Sequence, residues 1–221
     1  MLLGRVSEYG FPFEDPSHVD GPWGHDFCEV RGDKAPHGQK LTLQELLQAL
    51  YFFGPAYAAD MSPVLARHVT KLLAQPMDGG RTFRGQPILG SHKTWRGLAS
   101  SVFSGILVYE AQTLLYSIGV LRDLAWIDYS LHGWLPGFLM GLGASMGDAF
   151  KSFFKRRIGI SPGSRWLFFD QLDFFVGAYA FVSLAVAPPL LPILAMIPIV
   201  FVCDIAATSV FYRLGLKDSW I

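Results

Sequence analysis

Long apolar stretches alternate with short polar connections over most of this chain, and the pattern favours helices over strands. After a polar opening, the apolar stretches reach the length of about 20 residues that a helix needs to cross a bilayer. We assign five such spans to residues 43–66, 98–121, 131–153, 166–187 and 190–212. The pattern therefore predicts an all-α integral membrane protein with about five transmembrane helices.

The first and third spans depart from a plain apolar helix. Pro55, Asp60 and Pro63 interrupt the first span, and a membrane tolerates such breakers only where neighbouring helices or a cavity satisfy the freed backbone groups. In the third span small residues recur at nearly every turn, namely Gly133, Gly137, Gly141, Gly143 and Gly147. We interpret these glycines mainly as a close-packing interface between helices.

The first 41 residues do not share the apolar pattern. They are polar, contain scattered Gly, Pro and His, and lack the apolar core of a secretory signal peptide. We therefore divide the chain into a poorly ordered polar extension, residues 1–41, and a membrane-embedded domain, residues 42–221.

Composition agrees with a membrane protein, because 51% of the residues are hydrophobic and only 16% are charged. The formal net charge of zero gives no support to a nucleic-acid partner. Cys28 and Cys203 are far apart and form no CxxC pair, so they indicate neither a zinc site nor a disulfide framework.

Basic residues are concentrated in two of the connections. Residues 67–97 contain six Lys and Arg against one acid, Asp78, and residues 151–165 contain five, whereas residues 122–130 contain one base and two acids. The positive-inside rule places both basic connections in the cytoplasm. The prediction is a multi-pass cell-membrane protein with two functional cytoplasmic loops, so that an active site formed by them faces the cytoplasm.

The first basic connection has the residue types of a phosphate-binding loop. Glycines such as Gly90 allow backbone amides to approach an anion. Lys93 and Arg96 can neutralise phosphate, and Ser91 and Thr94 can donate hydrogen bonds. The order of residues is not that of a Walker A loop. On charge pattern alone, a nucleotide and anionic lipid headgroups remain equally good ligands.

The end of the third span carries acids and bases on one helical face. Asp148, Lys151, Ser152 and Lys155 are spaced i, i+3, i+4 and i+7, so a helix presents them together. A plainer interpretation is an intrahelical Asp148–Lys151 pair, with the bases up to Arg157 anchoring the span at the membrane surface.

Two further acids interrupt an apolar run in the fourth span. Asp170 and Asp173 share a helical face within residues 166–175, where an unpaired carboxylate is costly. Together with Asp148 they would place three carboxylates near the same end of two adjacent spans. Because these acids repel unless a cation lies between them, we predict a Mg²⁺ site formed by Asp148, Asp170 and Asp173 and completed by a polyphosphate.

From about residue 43 onward, the chain resembles the CDP-archaeol synthases, membrane-embedded CTP-dependent cytidylyltransferases related to the bacterial CDP-diacylglycerol synthases. Several blocks carry this resemblance in order, namely Pro55–Pro63, Gly90–Gly97, Gly147–Arg157, Pro162-Gly163, Asp170–Asp173 and Gly215–Trp220. The wider superfamily shares Gly-Asp-x3-Ser-x2-Lys-Arg, which here is Gly147, Asp148, Ser152, Lys155 and Arg156.

Two positions distinguish this chain within the superfamily. The bacterial branch has a Lys-Asp pair and a His-Gly-Gly segment between the shared blocks, whereas here Ser164-Arg165-Trp166 follows Gly163. The chain therefore sides with the archaeol branch. That branch usually has Asn at the position of Asp60.

The resemblance implies transfer of a cytidylyl group from CTP to 2,3-di-O-geranylgeranylglyceryl 1-phosphate or a similar lipid, giving CDP-archaeol and pyrophosphate. The implied catalytic residues are Asp148, Lys151, Lys155, Arg156, Asp170 and Asp173. The implied nucleotide-binding residues are Gly90, Lys93, Thr94, Arg96 and Ser152. The expected partners are CTP, a lipid phosphate and membrane lipids, with Mg²⁺ as cofactor, no nucleic acid and no known protein partner.

Two alternatives remain open from the sequence. One is a CDP-diacylglycerol synthase that acts on phosphatidate. The other is a transporter that uses the intramembrane acids as a cation site, although transporters often show an internal repeat and none is visible between the halves of this chain.

Overall fold

The structure is a computed structural model that describes residues 42–160 and 169–215, apart from the side chains of residues 169–171 and 204. The expectations for the extension, residues 1–41, and for Pro162-Gly163 therefore lie outside the described residues.

The described part of the chain forms six α-helices. They are α1 Leu43–Phe52, α2 Gly54–Val69, α3 Trp95–Ser117, α4 Leu135–Arg157, α5 Phe169–Val182 and α6 Leu190–Arg213. A small antiparallel hairpin, β1 Thr82–Phe83 and β2 Gln86–Pro87, lies between α2 and α3, and two 3₁₀ turns, Arg122–Leu124 and Tyr129–Leu131, lie between α3 and α4. The predicted helical class is confirmed.

Two of the described helices, α3 and α6, are long and apolar enough to cross a membrane. The apolar part of α5, Leu172–Val182, is shorter. The helix α4 has 23 residues, but Asp148 and the four basic residues of its second half lower its apolar character. Membrane-capable helices are therefore present, and the number of five spans stays a prediction.

The first predicted span, residues 43–66, is not one continuous helix, because it forms α1 and α2 with a break at Phe53. Pro55 has no N–H, so the carbonyl of Tyr51 loses its partner four residues on. Gln112 of α3 donates its side-chain amide to this Tyr51 carbonyl at 2.5 Å.

A second proline, Pro63, lies inside α2 and has the same effect on Ala59. The buried hydroxyl of Ser101 on α3 donates to the Ala59 carbonyl at 2.8 Å. Polar side chains of α3 thus donate hydrogen bonds to the carbonyl groups that both prolines leave free. A neighbouring helix is expected to fill this role if the prolines lie within a membrane.

Glycines let α4 approach its two neighbours closely. A Cβ atom added at Gly105 of α3 would lie 2.6 Å from the Gly137 carbonyl oxygen, and one added at Gly141 would lie 2.6 Å from the Ser101 carbonyl oxygen. On the other side, Gly143 and Gly147 face the backbone of α5. The predicted glycine interface is confirmed at these positions of α4.

Gly133, the first glycine of the predicted stripe, has a different role. It precedes α4, has a positive φ of 52° and has open space around its Cα. It therefore belongs to the turn that leads into the helix and is not part of the interface.

The core lies between α1, α2, α4, α5 and α6. Phe53 and Phe175 are buried with ring centroids 4.6 Å apart, and Met196 and Val200 of α6 are fully buried in the same cluster. Burial of an aromatic side chain is among the largest single apolar contributions to stability, so this cluster fixes the bundle around α4.

The ends of α3 and α4 differ from their predicted bounds by a turn of helix. Thr94 caps α3, which therefore begins at Trp95, three residues before residue 98. The helix α4 continues past residue 153 to Arg157 and ends before Gly159, whose φ is 80°. The last turn of α4 therefore carries the basic cluster in helical register.

Candidate active site

An open cavity lies between α2, α3, α4 and the connection that precedes α3. The polar and charged residues of its lining are Asp60, His92, Lys93, Thr94, Ser101, Ser145 and Asp148. The structure thus brings the first basic connection to the acid-bearing face of α4.

A chain of ion pairs runs from this cavity toward α5. Lys93 contacts Asp148 Oδ2, Lys151 Nζ lies 3.0 Å from Asp148 Oδ1, and the same Nζ lies 2.8 Å from Asp173 Oδ2. Lys151 and Asp173 are mostly buried, with 13% and 8% of their side chains exposed, whereas 32% of Asp148 is exposed. The cavity therefore meets the open end of a buried charge network.

Two lysines and two aspartates balance each other in this network. A buried charge is costly unless an opposite charge pairs with it, and Lys151 pairs with both carboxylates at once. The predicted Asp148–Lys151 pair on one helical face is present. Its plain intrahelical interpretation is incomplete, because Asp173 of α5 and Lys93 of the loop join it.

The close approach of α4 and α5 brings Asp173 to Lys151. A Cβ atom at Gly147 would collide with the Asp173 carbonyl oxygen, and one at Gly177 would collide with the backbone of Gly143. Because both helices have glycine at these contacts, the short Asp173 side chain reaches across to α4.

Two of the predicted loop residues contact the protein itself. Gly90 donates its backbone N–H to Asp78 Oδ2 at 3.0 Å, and Arg96 Nη1 donates to the carbonyl oxygen of Thr70 at 2.6 Å, at the end of α2. Neither residue lines the cavity. These contacts hold the loop in place, and nucleotide binding by Gly90 and Arg96 stays a prediction.

Thr94 and Lys93 are the loop residues that do reach the cavity. The Thr94 hydroxyl accepts a hydrogen bond from Gly97 N at 3.2 Å and so caps α3. Gly97, in the first turn of α3, lines the cavity. The partial positive charge of a helix N-terminus and the ammonium of Lys93 together favour an anion at this place.

Comparison with known proteins assigns the chain to a family. A family model described as CarS-like CDP-archaeol synthase matches residues 42–221.

The chain belongs to the CDP-archaeol synthase family.

Curated members of the family cover most of the membrane domain. A CDP-archaeol synthase of Methanocaldococcus jannaschii is 31% identical over 176 residues, which are 79% of this chain and 97% of that protein. A CDP-archaeol synthase of Thermofilum pendens is 39% identical over 172 residues, which are 74% of this chain and 76% of that protein.

A solved structure is also similar to this chain. It is described as "Structural insight into an intramembrane enzyme for archaeal membrane lipids biosynthesis", with 29% identity and a TM-score of 0.60, over 73% of this chain and 93% of that chain. The resemblance found in the sequence is confirmed. A non-enzymatic transporter, the alternative from another class, has no support from these relatives.

The Mg²⁺ site predicted for this CDP-archaeol synthase family member stays a prediction. Asp148 and Asp173 contact the same ammonium group, but the side chain of Asp170 lies outside the described residues. Within the described part of the chain, no three His, Cys, Asp or Glu residues are grouped for metal binding. Two carboxylates with phosphate oxygens are nevertheless a donor set that suits Mg²⁺.

The remaining motif residues lie on the last turns of α4. Ser152, Lys155 and Arg156 are all buried, with 5 to 6% exposure, and Arg156 Nε donates to the Ser152 carbonyl at 3.5 Å. None of the three lines the cavity. A plain snorkelling anchor would be exposed, so burial of Lys155 and Arg156 argues against that interpretation.

Arg157 differs from its neighbours because it holds the hairpin. Its Nη1 donates to the Phe83 carbonyl at 2.6 Å and its Nη2 donates to the Pro87 carbonyl at 2.8 Å. The guanidinium also lies over the rings of Phe83 and Phe153. Arg157 thus fixes β1 and β2 to α4, a role that anchoring at the membrane surface does not explain.

Sequence reasoning missed the role of Asp78. Its carboxylate accepts hydrogen bonds from three backbone amides, those of Gly80, Leu89 and Gly90. Partial burial alone would raise the pKa of Asp78, but these amides outweigh it and hold the pKa below its usual value. A lone acid in a basic connection, followed by Gly79-Gly80, was the available signal, because Asp before glycine favours a side-chain-closed turn.

Proposed function

We propose that this protein transfers the cytidylyl group of CTP to a membrane-embedded glycerol-phosphate lipid, giving a CDP-archaeol-type lipid and pyrophosphate. The observation that carries the proposal is the cavity in which Lys93 of the loop meets Asp148 of the shared motif. Membership of the CDP-archaeol synthase family supports the same reaction class, a CTP-dependent nucleotidyltransferase of phospholipid biosynthesis.

The reaction needs no protein nucleophile. An oxygen of the lipid phosphate attacks the α-phosphorus of CTP, a new P–O bond forms, and the bond to the β-phosphate oxygen breaks. Pyrophosphate leaves with the electron pair of that bond. Catalysis then consists of positioning the two phosphates in line and stabilising the charge that develops on the attacking and leaving oxygens.

The lysines of the ion-pair network are placed to stabilise the charge that develops on the phosphate oxygens. Lys93 and Lys151 already contact carboxylate oxygens beside the cavity, and phosphate oxygens can replace those acceptors when CTP enters. The capped first turn of α3 would face the same triphosphate. Lys155 and Arg156, one turn further along α4, would act on the lipid phosphate or on the pyrophosphate.

Mg²⁺ is part of the proposal. Asp148 and Asp173 would hold it together with phosphate oxygens, and Asp170 would be a third ligand or a support for the other two. A bound Mg²⁺ would neutralise charge on the phosphates without taking part in proton transfer.

The proposed topology has five spans and an active site on the cytoplasmic side, where CTP is found. The cavity supports this topology because it lies near the N-terminal end of α3, which follows the first basic connection. It also lies on the C-terminal half of α4, which leads into the second basic connection.

A direct assay tests the function. Purified protein is incubated with labelled CTP, Mg²⁺ and a panel of an archaetidic-acid-like ether lipid phosphate and diacyl phosphatidate, and labelled CDP-lipid and pyrophosphate are quantified. We expect product from the ether lipid, far less with ATP or GTP, none with a chelator, and recovery when Mg²⁺ is added back.

Substitutions supply the control for this assay. Asp148→Asn and Asp173→Asn should each lose at least about a hundredfold in turnover, as for other charge-stabilising groups, while the protein still inserts. Asp123→Asn, in the loop at the other end of α3, should retain wild-type turnover. Product formation that is equal for purine nucleotides, or unchanged in both cavity variants, would refute the proposal.

A further inference from the structure

The connection between α2 and α3 folds around a single carboxylate, that of Asp78. One oxygen, Oδ2, accepts the backbone N–H groups of Leu89 and Gly90 at 2.9 and 3.0 Å, and the other, Oδ1, accepts that of Gly80 at 3.0 Å. Charge-assisted hydrogen bonds of this kind are about twice as strong as neutral ones. The carboxylate therefore ties together two parts of the loop that are more than ten residues apart in sequence.

The segment that Asp78 holds leads directly to Lys93. Lys93 N donates to the Gly90 carbonyl at 3.2 Å, which closes a turn between the anchored residue and the lysine. On the opposite side Met77 N, next to Asp78, donates to the Lys93 carbonyl at 2.7 Å. The backbone of Lys93 is thus fixed on both sides by residues adjacent to the carboxylate or bonded to it.

Asp78 itself is not part of the reacting surface. It does not line the cavity, whereas its neighbour Met77 and the supported Lys93 do. Its carboxylate oxygens accept backbone amides of the loop itself. Any effect of Asp78 on nucleotide binding must therefore act through the backbone of the loop.

We propose that Asp78 is a positioning residue for nucleotide binding, because its carboxylate sets the loop backbone from which Lys93 reaches the cavity. The proposal rests on the proposed function, in which Lys93 binds the triphosphate. It predicts that the contribution of Asp78 to CTP affinity depends on the presence of the Lys93 side chain.

A double-mutant cycle tests this dependence. The dissociation constant of CTP with Mg²⁺ is measured by titration calorimetry on the full chain in detergent, for the wild type, Asp78→Ala, Lys93→Ala and the double variant. We expect Asp78→Ala to weaken CTP binding about tenfold in the wild-type background and less than about twofold in the Lys93→Ala background, which is the size of coupling seen between connected residues.

A conservative variant and a matched control separate positioning from general stability. Asp78→Asn keeps one oxygen that can accept the Leu89 and Gly90 amides, so it should restore most of the affinity. Asp128→Ala removes another loop carboxylate that accepts a backbone amide, that of Ser130 at 2.9 Å, at the other end of α3. It should lower the unfolding temperature without changing CTP affinity.

Hydrogen exchange gives a readout that does not require nucleotide. In Asp78→Ala the amides of residues 89–93 should exchange faster than in the wild type, with no change in α4. An equal loss of CTP affinity in both backgrounds, or unchanged exchange at residues 89–93, would overturn the positioning role of Asp78. Failure of the wild type to bind CTP would instead refute the proposed function.

Discussion

At the scale of single residues, the two kinds of acid in this protein have different partners. Asp148 and Asp173 contact lysine ammonium groups, which can also bind phosphate oxygens. Asp78 instead accepts hydrogen bonds from backbone amides of its own loop. The first arrangement is suited to exchange of ligands and the second to permanent structure. We therefore expect the contribution of Asp78 to the stability of the fold to depend on pH.

The lowered pKa of Asp78 fixes the sign of that pH dependence. A carboxyl group whose folded-state pKa lies below its unfolded value of about 3.9 stabilises the fold fully above that value. The contribution is lost as pH falls through the folded-state pKa, because both states then carry the proton. We therefore expect the wild type to unfold at a higher temperature than Asp78→Asn at pH 7, with the difference shrinking below about pH 4.

Thermal unfolding of both proteins in the same detergent from pH 7 to pH 3 measures this difference. The comparison cancels other acids, since the two chains differ at one position. A difference that stays constant over the whole range would mean that the Asp78 carboxylate is not held by the amides of the loop.

At the scale of helices and hairpins, packing decides which charges meet. The helix α5 lies against α4 at glycine contacts, and Asp173 reaches Lys151 across that contact. Gly147→Ala would force the two helices apart, at a cost of about 1 to 3 kcal/mol for overpacking. We expect it to lower both the unfolding temperature and the cytidylyl transfer per folded molecule, because the Lys151–Asp173 pair lengthens.

Gly105→Ala is the matched comparison for this prediction. It introduces a similar collision, with the Gly137 carbonyl at 2.6 Å, but between α3 and α4 and away from the ion pairs. It should lower stability by a similar amount and reduce transfer much less. Equal losses of transfer in the two variants would show that the α4–α5 contact has no special role.

The hairpin of β1 and β2 is held by the C-terminal end of α4. Arg157 binds two of its carbonyl groups, whereas the buried Lys155 lies on the motif face of the helix. Lys155→Ala should reduce turnover by about a hundredfold or more, as for loss of a charge-stabilising contact. Arg157→Ala should have a much milder effect on turnover, and its main result should be faster amide exchange in residues 82–87.

Arg157→Lys adds a test of geometry to this pair. Lysine keeps the charge but cannot donate to both carbonyls from one planar group, so it should behave like Arg157→Ala in the exchange experiment. If Lys155→Ala and Arg157→Ala reduce turnover equally at matched expression, the motif face of α4 does not distinguish them.

At the scale of the whole molecule, the sequence was sufficient for features that depend on local period and composition. The helical class and the glycine contacts of α4 follow from spacing along one helix, and the family follows from its motifs. The break at Phe53 could not be located, because three breakers offered several places for it. The joint pairing of Lys151 with Asp148 and Asp173, and the closure of the loop on Asp78, depend on contacts between segments distant in sequence.

The orientation of the bundle in the membrane is the remaining prediction at this scale. The helix α3 has 23 residues and so extends about 34 Å, enough to separate its two ends by the thickness of a bilayer. Ser91 lies in the connection before the start of α3 and Val120 lies in the connection after its end, and both residues are exposed. If the basic connection is cytoplasmic, these two positions lie on opposite sides of the membrane.

Cysteine labelling distinguishes the two sides. Ser91→Cys and Val120→Cys are introduced separately into a chain without Cys28 and Cys203, and intact cells are treated with a membrane-impermeant maleimide. Val120→Cys should react in intact cells, and Ser91→Cys should react only after the membrane is opened. The reverse pattern would place the cavity outside, away from CTP, and reaction of both in intact cells would mean that α3 does not cross the membrane.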